Sequence, residues 1–268
     1  TLVTWRSSFV AIGAATLGVA LICLLLIRNR PQDIGSPPLN EREMLRHGKP
    51  PEPFSVMEGI RAVLSVRGVR MAALFYFFNQ AGFFSLVGTW GIPWLVHVYG
   101  MTVAEASSLT VMMVLGTMTG GLFNGWISDR IGRRRPPMIV ASFFQTLLWG
   151  CVVMPWESRL GPGVLRLLFL ALGFTNACFV LSWSVAKEQS SERYTGLAIS
   201  VLNTAGFLAI AIVTSFMGVL IDLYSSTSAE TAYRMAFSIG LACTFVSLVV
   251  AFFIPELGEK HGRQEGLS

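Results

Sequence analysis

Apolar residues in this chain gather into long unbroken runs, separated by polar breaks that are short with one exception. The runs lie near 7–27, 71–96, 103–127, 137–155, 164–186, 195–221 and 235–254, and charged residues occur only at their ends. A helix rises about 1.5 Å per residue and the hydrocarbon core of a bilayer is about 30 Å thick, so about 20 apolar residues make one crossing. The pattern predicts seven transmembrane helices. Strands of a transmembrane barrel alternate apolar and polar over about ten residues, which these runs do not. The expected fold class is therefore all-α, a polytopic transmembrane helix bundle.

Composition agrees. Of 268 residues 53% are hydrophobic and 13% charged, against about 25% charged in soluble domains, and the mean hydropathy is +0.61. A net charge of +5 would fit nucleic acid in a soluble protein, so the placement of the charges decides. With seven crossings the loops alternate sides, and all 20 Lys and Arg except Arg6, Arg159, Arg166 and Arg234 fall on one side. The positive-inside rule places that side, with the 28–70 loop and the C-terminus, in the cytoplasm. The expected partner is the lipid bilayer and not nucleic acid. Thr1 is not a start methionine, no signal-peptide pattern precedes the first run, and an odd number of crossings begins outside. The chain is expected to be the C-terminal portion of a protein with an even number of helices.

The long exception is 28–70. It opens with the Pro-rich, charged RNRPQDIGSPPLNEREMLRHGKPPEP and reads as a cytoplasmic linker. Ser55 and Glu58 form an S-x-x-E pattern, followed by Phe54, Met57, Ile60 and Leu64 at helical spacing. A capping box and a short amphipathic helix on the membrane surface follow. That helix is either a latch between two halves or a spacer resting on headgroups. The remaining connections are short, so neighbouring helices are antiparallel. The organisation expected is a last helix of one half (1–27), the linker (28–70), a six-helix half (71–254) and a cytoplasmic tail (255–268).

Chemistry of the catalytic kind is not written here. Cys23, Cys151, Cys178 and Cys243 lie far apart in apolar runs, and His47, His97 and His261 lie in separate breaks. No metal, cofactor or catalytic residue is expected. A retinal photosensor, which the count of seven invites, needs a lysine in its last helix, and 235–254 has none. His97 reads as a solvated residue at an external helix end.

One string stands out at the end of the third run: Gly125, then Asp129-Arg130, Gly132 and Arg133-Arg134, a G-x-x-x-D-R-x-G-R-R pattern. Gly125 allows another helix to approach, Gly132 permits a left-handed backbone, and Asp129 at a membrane edge needs a cationic partner or a helix N-terminus. The string resembles the loop signature of the major facilitator superfamily, in the copy between its eighth and ninth helices. Thr4-Trp5-Arg6 with the Arg28 to Gly35 exit resembles the sixth helix of that family, Trp90-Gly91-Ile92-Pro93-Trp94 its seventh, and the stretch from Glu188 to Leu202 the passage between its tenth and eleventh. The resemblance implies helix six plus the second six-helix half of a secondary transporter that rocks around a central site. The missing N-terminal helices of the same protein and a small-molecule substrate are then partners, and a bacterial inner (cell) membrane the location. It further implies that Asp129 and the turn arginines lock onto helices ten and eleven, with Glu188 and Glu192 receiving Arg130 or Arg133; the alternative is that these charges only fix topology.

Candidate substrate contacts come from polar and aromatic positions inside the runs. Tyr76, Gln80, Phe83, Val87 and Trp90 step by 4, 3, 4 and 3 and share a helix face, with Asn79 beside it; Asn176, Phe179, Val180 and Trp183 form a second such face. An amide in hydrocarbon needs a partner, either a ligand or another helix. Gln145 and Asn203 rank lower, since their helices are expected at the periphery. Gly116 with Gly120 and Gly121 with Gly125 form G-x-x-x-G pairs, read as helix-packing sites. No charge lies well inside a run, so any coupling residue is expected in the missing half. RNRPQDIG and W-G-x-P-W are similar to segments of sugar-phosphate and organic-anion carriers, which makes such a solute the substrate guess. A membrane sensor descended from the same fold, a receptor and a membrane enzyme are the competing readings.

Overall fold

The computed structural model of the chain describes residues 5–27, 35, 55–155 and 160–256. The linker between 28 and 54, Gly35 apart, and the tail beyond 256 lie outside the described residues, together with what was expected of them. Helix α1 (Trp5–Leu26) belongs to a unit of its own, and the body from Ser55 onward forms a second. In the body, α2 (Val56–Ser65) precedes a rod, Arg67–Tyr99, composed of α3 (Arg67–Phe84), a π-helical segment (Ser85–Trp90) and α4 (Gly91–Tyr99). Then come α5 (Val103–Ile131) and α6 (Arg135–Val153). A second composite rod follows, α7 (Pro162–Asn176), a 3₁₀ turn (Ala177–Phe179) and α8 (Val180–Gln189), and after it α9 (Thr195–Tyr224) and α10 (Ala229–Ala251). Among the described residues seven helices or composite rods are long and apolar enough to cross a membrane.

Local signals explain the boundaries. Gly100 ends α4 in the left-handed conformation (φ 69°), and Thr102 starts α5 with a complete capping box to Glu105. Ser228 caps α10 by accepting from the Thr231 N–H at 3.1 Å, and prolines occupy the first turns of α6 and α7. The box expected at Ser55 does not form. Ser55 is the N-cap in extended conformation without a side-chain bond, so α2 is held from its other end, where the Arg70 guanidinium donates to the carbonyls of Leu64 (2.7 Å) and Ser65 (2.8 Å). Gly59 and Val63 face the bundle, while Met57 and Leu64 of the spacing stripe stay exposed.

The interior is layered. One apolar cluster, with Trp94, Met113, Trp149, Phe169 and Phe237, fills the end near the Gly100 turn. Another, with Val69, Phe75, Met138, Leu181 and Leu202, fills the end near Gly132. Between them in the chain order of each rod sit the buried polar residues Asn79, Ser142, Gln145, Asn176, Thr244 and Ser247. Glycine sets the closest helix approach: a Cβ on Gly116 would overlap the Leu170 carbonyl, one on Gly120 that of Phe174, and one on Gly173 that of Met113. Thus α5 and α7 touch backbone to backbone. Gly121 and Gly125 have nothing within 4 Å of such a Cβ. Among the described residues no helix approaches Gly125, and this glycine and Gly121 lie off the α7-packed stripe of α5.

Candidate functional site

The charged turn is built by Gly132. Its φ of 69° ends α5 and reverses the chain, so that Arg134 stands at the N-cap of α6 and turns back toward the bundle. There it donates to two carboxylates. Nε and Nη2 reach Glu188 Oε1 at 3.0 and 2.8 Å, and Nη1 reaches Asp129 Oδ1 and, at 2.9 Å, Ser128 Oγ. Ser128 in turn donates to the Arg133 carbonyl at 3.0 Å. The side chains of Arg134 and Glu188 are each 24% exposed, that of Asp129 71%. The bond to Glu188 raises the Arg134 pKa above its ordinary value, so the guanidinium stays charged at any physiological pH.

The sequence expectation of Arg130 or Arg133 as the partner of Glu188 or Glu192 is thereby corrected. Arg130, on the last turn of α5, lies over the Trp126 ring at 5.5 Å, as residues four apart on a helix must. Among the described residues neither Arg133 nor Glu192 joins an ion pair. Three further contacts draw other elements into the same end. The Arg135 N–H donates to Glu256 Oε1 at 3.1 Å, Gln189 Nε2 donates to the Pro255 carbonyl at 3.2 Å, and Gly68 leaves the space that the Gln189 side chain fills. A cavity of about 130 Å³ lies among Asp129, Arg134, Val185, Glu188, Gln189 and Pro255.

Deeper in the bundle the candidate substrate residues divide into two groups. Asn79, fully buried, donates to Gln145 Oε1 at 2.8 Å, and Gln145 donates to Asn176 Oδ1 at 3.1 Å. This amide chain joins α3, α6 and α7. Asn79 and Asn176 thus bridge helices, with Gln145, ranked low by sequence, at their centre, and each keeps one buried amide atom, Asn79 Oδ1 and Asn176 Nδ2, without a protein partner among the described residues. On another side Tyr76, Phe179 and Trp183 form an aromatic trio with centroids 5.5 to 6.0 Å apart. The Tyr76 ring rests on Gly206 of α9, and Gln80 donates weakly to its hydroxyl at 3.5 Å. Gln80 Oε1 and Trp183 Nε1 are buried without a protein partner.

Phe83 and Trp90 lie farther along the same rod, Trp90 at the end of its π segment, and Trp90 meets α9 as Tyr76 does. Trp90 donates from Nε1 to the Thr214 carbonyl of α9 at 3.0 Å, and Phe83 is buried in the apolar cluster of the Gly100 end. His97 is not merely solvated: its Nδ1 lies 2.9 Å from the Tyr233 hydroxyl.

Membrane-length helices, a polar layer at mid-depth and a charged knot at one end define a polytopic helical membrane protein. A sequence model of the Major Facilitator Superfamily matches residues 72–267, and the chain belongs to that family. It is similar to a probable hexose phosphate transport protein of Chlamydia pneumoniae, 27% identical over 169 residues, 58% of this chain and 37% of the relative. The probable galactarate/D-glucarate transporter GudP of Bacillus subtilis is 25% identical over 268 aligned residues, 91% of this chain and 56% of its own. The membrane sensor protein UhpC of Salmonella typhimurium is 24% identical over 217, with shares of 76% and 47%. The chain thus spans about half the length of these relatives, or less. These relatives are named as two transport proteins and one membrane sensor, none of them as an enzyme.

Proposed function

We propose that the whole protein is a secondary active transporter that moves a small organic anion, of the sugar-phosphate or sugar-acid kind, by alternating access, with the Gly132 end facing the cytoplasm. The observation that carries the reading is Arg134, clamped between Asp129 and Glu188. It ties the α5–α6 turn to the end of α8 by charge-assisted bonds that a rotation of α8 would break. Such a contact favours one of two arrangements without the permanence of apolar packing. Asp129, Arg134 and Glu188 form the lock, Gly132 sets its shape, and Arg130, Arg133 and Glu192 hold the surrounding surface at the headgroups.

The substrate face is assigned to Tyr76, Gln80 and Trp183. Gln80 Oε1 offers an acceptor and Trp183 Nε1 a donor with no protein partner, a pair suited to the hydroxyls of a polyol. Among the described residues no Lys or Arg lies well inside a spanning helix of the body, so the charge of the anion and any coupled proton are assigned to helices outside this chain. The names of the hexose phosphate and glucarate relatives support the choice of solute. The test is uptake of labelled sugar phosphates and sugar acids into vesicles carrying the full-length protein, with and without a proton gradient, beside the Asp129→Asn variant. Gradient-dependent uptake that the variant loses while still inserting supports the proposal; unchanged transport by the variant removes the lock. The likeness to UhpC favours a second reading, a sensor that binds the same solute without moving it, for which binding without uptake is the sign.

A further inference from the structure

A groove unrelated to the lock opens between α5 and α6, with α7 as its floor. It has a volume of about 290 Å³ and is walled by Phe123, Ile127, Ile131, Val140, Phe144 and Phe174, with almost no polar surface. At its upper end it adjoins an open cavity of about 710 Å³ that shares Pro136 and Val140 with it and is rimmed by Arg133 and Arg135. Neither guanidinium has a hydrogen-bond or ion-pair partner among the described residues. The one carboxylate on the rim, Glu256, is engaged with the Arg135 backbone N–H at the start of α6, where the helix N-terminus offsets its charge.

The geometry comes from the turn. Helices α5 and α6 are joined by three residues, yet α5 packs on α7 through its glycine stripe rather than on α6. The two therefore diverge from the turn and leave a wedge between them. From Ile131 to Phe123 the groove runs down α5 for eight residues, about 12 Å at about 1.5 Å each, roughly the upper half of an acyl chain.

We infer that this groove binds one anionic phospholipid, its phosphate between Arg133 and Arg135 and the start of one acyl chain in the apolar wedge. Charge selects the occupant. A zwitterionic lipid would fill the wedge equally well but gain less from two unpaired guanidiniums, and a free phosphate would make no use of the aromatic walls. An arginine near an anionic headgroup contributes about a fivefold preference, so the two together give about thirtyfold.

The experiment uses the full-length protein in mixed micelles of phosphatidylglycerol and phosphatidylcholine, with retained lipid counted by native mass spectrometry. One phosphatidylglycerol is expected to persist per chain, in strong excess over phosphatidylcholine. Arg133→Gln with Arg135→Gln should abolish the preference while leaving some lipid bound. Ala141 also lines the groove, and Ala141→Trp, which fills the wedge, should remove bound lipid of both kinds. Equal retention of the two lipids by the unaltered protein overturns the inference without any variant. Retention that survives both substitutions overturns it as well, since the lipid then sits elsewhere, and so does displacement of the lipid by inorganic phosphate alone.

Discussion

Arg134 holds two carboxylates of unequal exposure, and unequal consequences follow from removing them. Asp129 is largely solvated, and an ion pair in water contributes about 0 to 1 kcal/mol. Glu188 accepts two bonds from a partly buried guanidinium, where charge-assisted bonds contribute about 1.5 to 3 kcal/mol. Glu188→Gln is therefore expected to lower the thermal midpoint by about 3 to 12 °C, at about 2 to 4 °C for each kcal/mol in a body of this size. Asp129→Asn should lower it by no more than about 4 °C on the same scale. An equal loss in both, measured by thermal unfolding in detergent, would mean that the turn and not the pairing sets stability. At mid-depth, Gln145→Leu keeps volume but strands two buried amides, and a cost of about 2 to 4 kcal/mol is expected; Asn203→Leu, on a half-exposed position, should cost less than about 1 kcal/mol. Asp129 was legible because a carboxylate at a membrane edge is conspicuous in the sequence. Arg134 was not, because the choice among neighbouring arginines depends on the φ of Gly132, and Gln145 was not, because its value lies in partners from two other helices.

Elements were legible where the pattern is long. The seven runs correspond to seven membrane-length helices, since twenty apolar residues in succession leave the backbone no other way to satisfy its hydrogen bonds in lipid. What interrupts a helix without ending it was not legible. The π segment at Ser85–Trp90 and the 3₁₀ turn at Ala177–Phe179 occur inside continuous apolar sequence, with no proline to mark them. The glycines allow a sharp test of how elements pack. Gly173→Ala places a methyl on the Met113 backbone carbonyl, which no rotamer relieves, and α7 must shift away from α5. Overpacking of this kind costs about 1 to 3 kcal/mol or more. Gly121→Ala, on the same α5 but with open space around it, should be neutral or slightly stabilising through helix propensity. Measured as unfolding midpoints, the two must differ in sign or by several degrees; a similar loss in both would mean that α5 buries its other face as well.

The body has two unlike ends, and their difference in charge carries a prediction about the molecule as a whole. At one end lie the turn Arg133, Arg134 and Arg135, Lys187 beside the lock, Arg193, and Arg67 and Arg70 at the start of the first rod; at the other, Arg166 and Arg234 are the described basic residues. Arg and Lys resist translocation, so the dense end is expected to stay on the side of synthesis. A cysteine replacing Ser226, in the exposed turn between α9 and α10, is expected to react with an impermeant maleimide in intact cells. One replacing Lys187 should react only after lysis. The native cysteines are first replaced so that Cys151 and Cys23, which are partly exposed, give no background. The assignment matters for the proposed mechanism, in which the Arg134 clamp would close whichever side it faces. With Lys187 protected in intact cells, the proposed lock would be an inner gate that opens for a solute to be released into the cytoplasm. With the labelling reversed, it would guard the outer mouth, and Asp129→Asn would then alter solute entry from outside rather than release within.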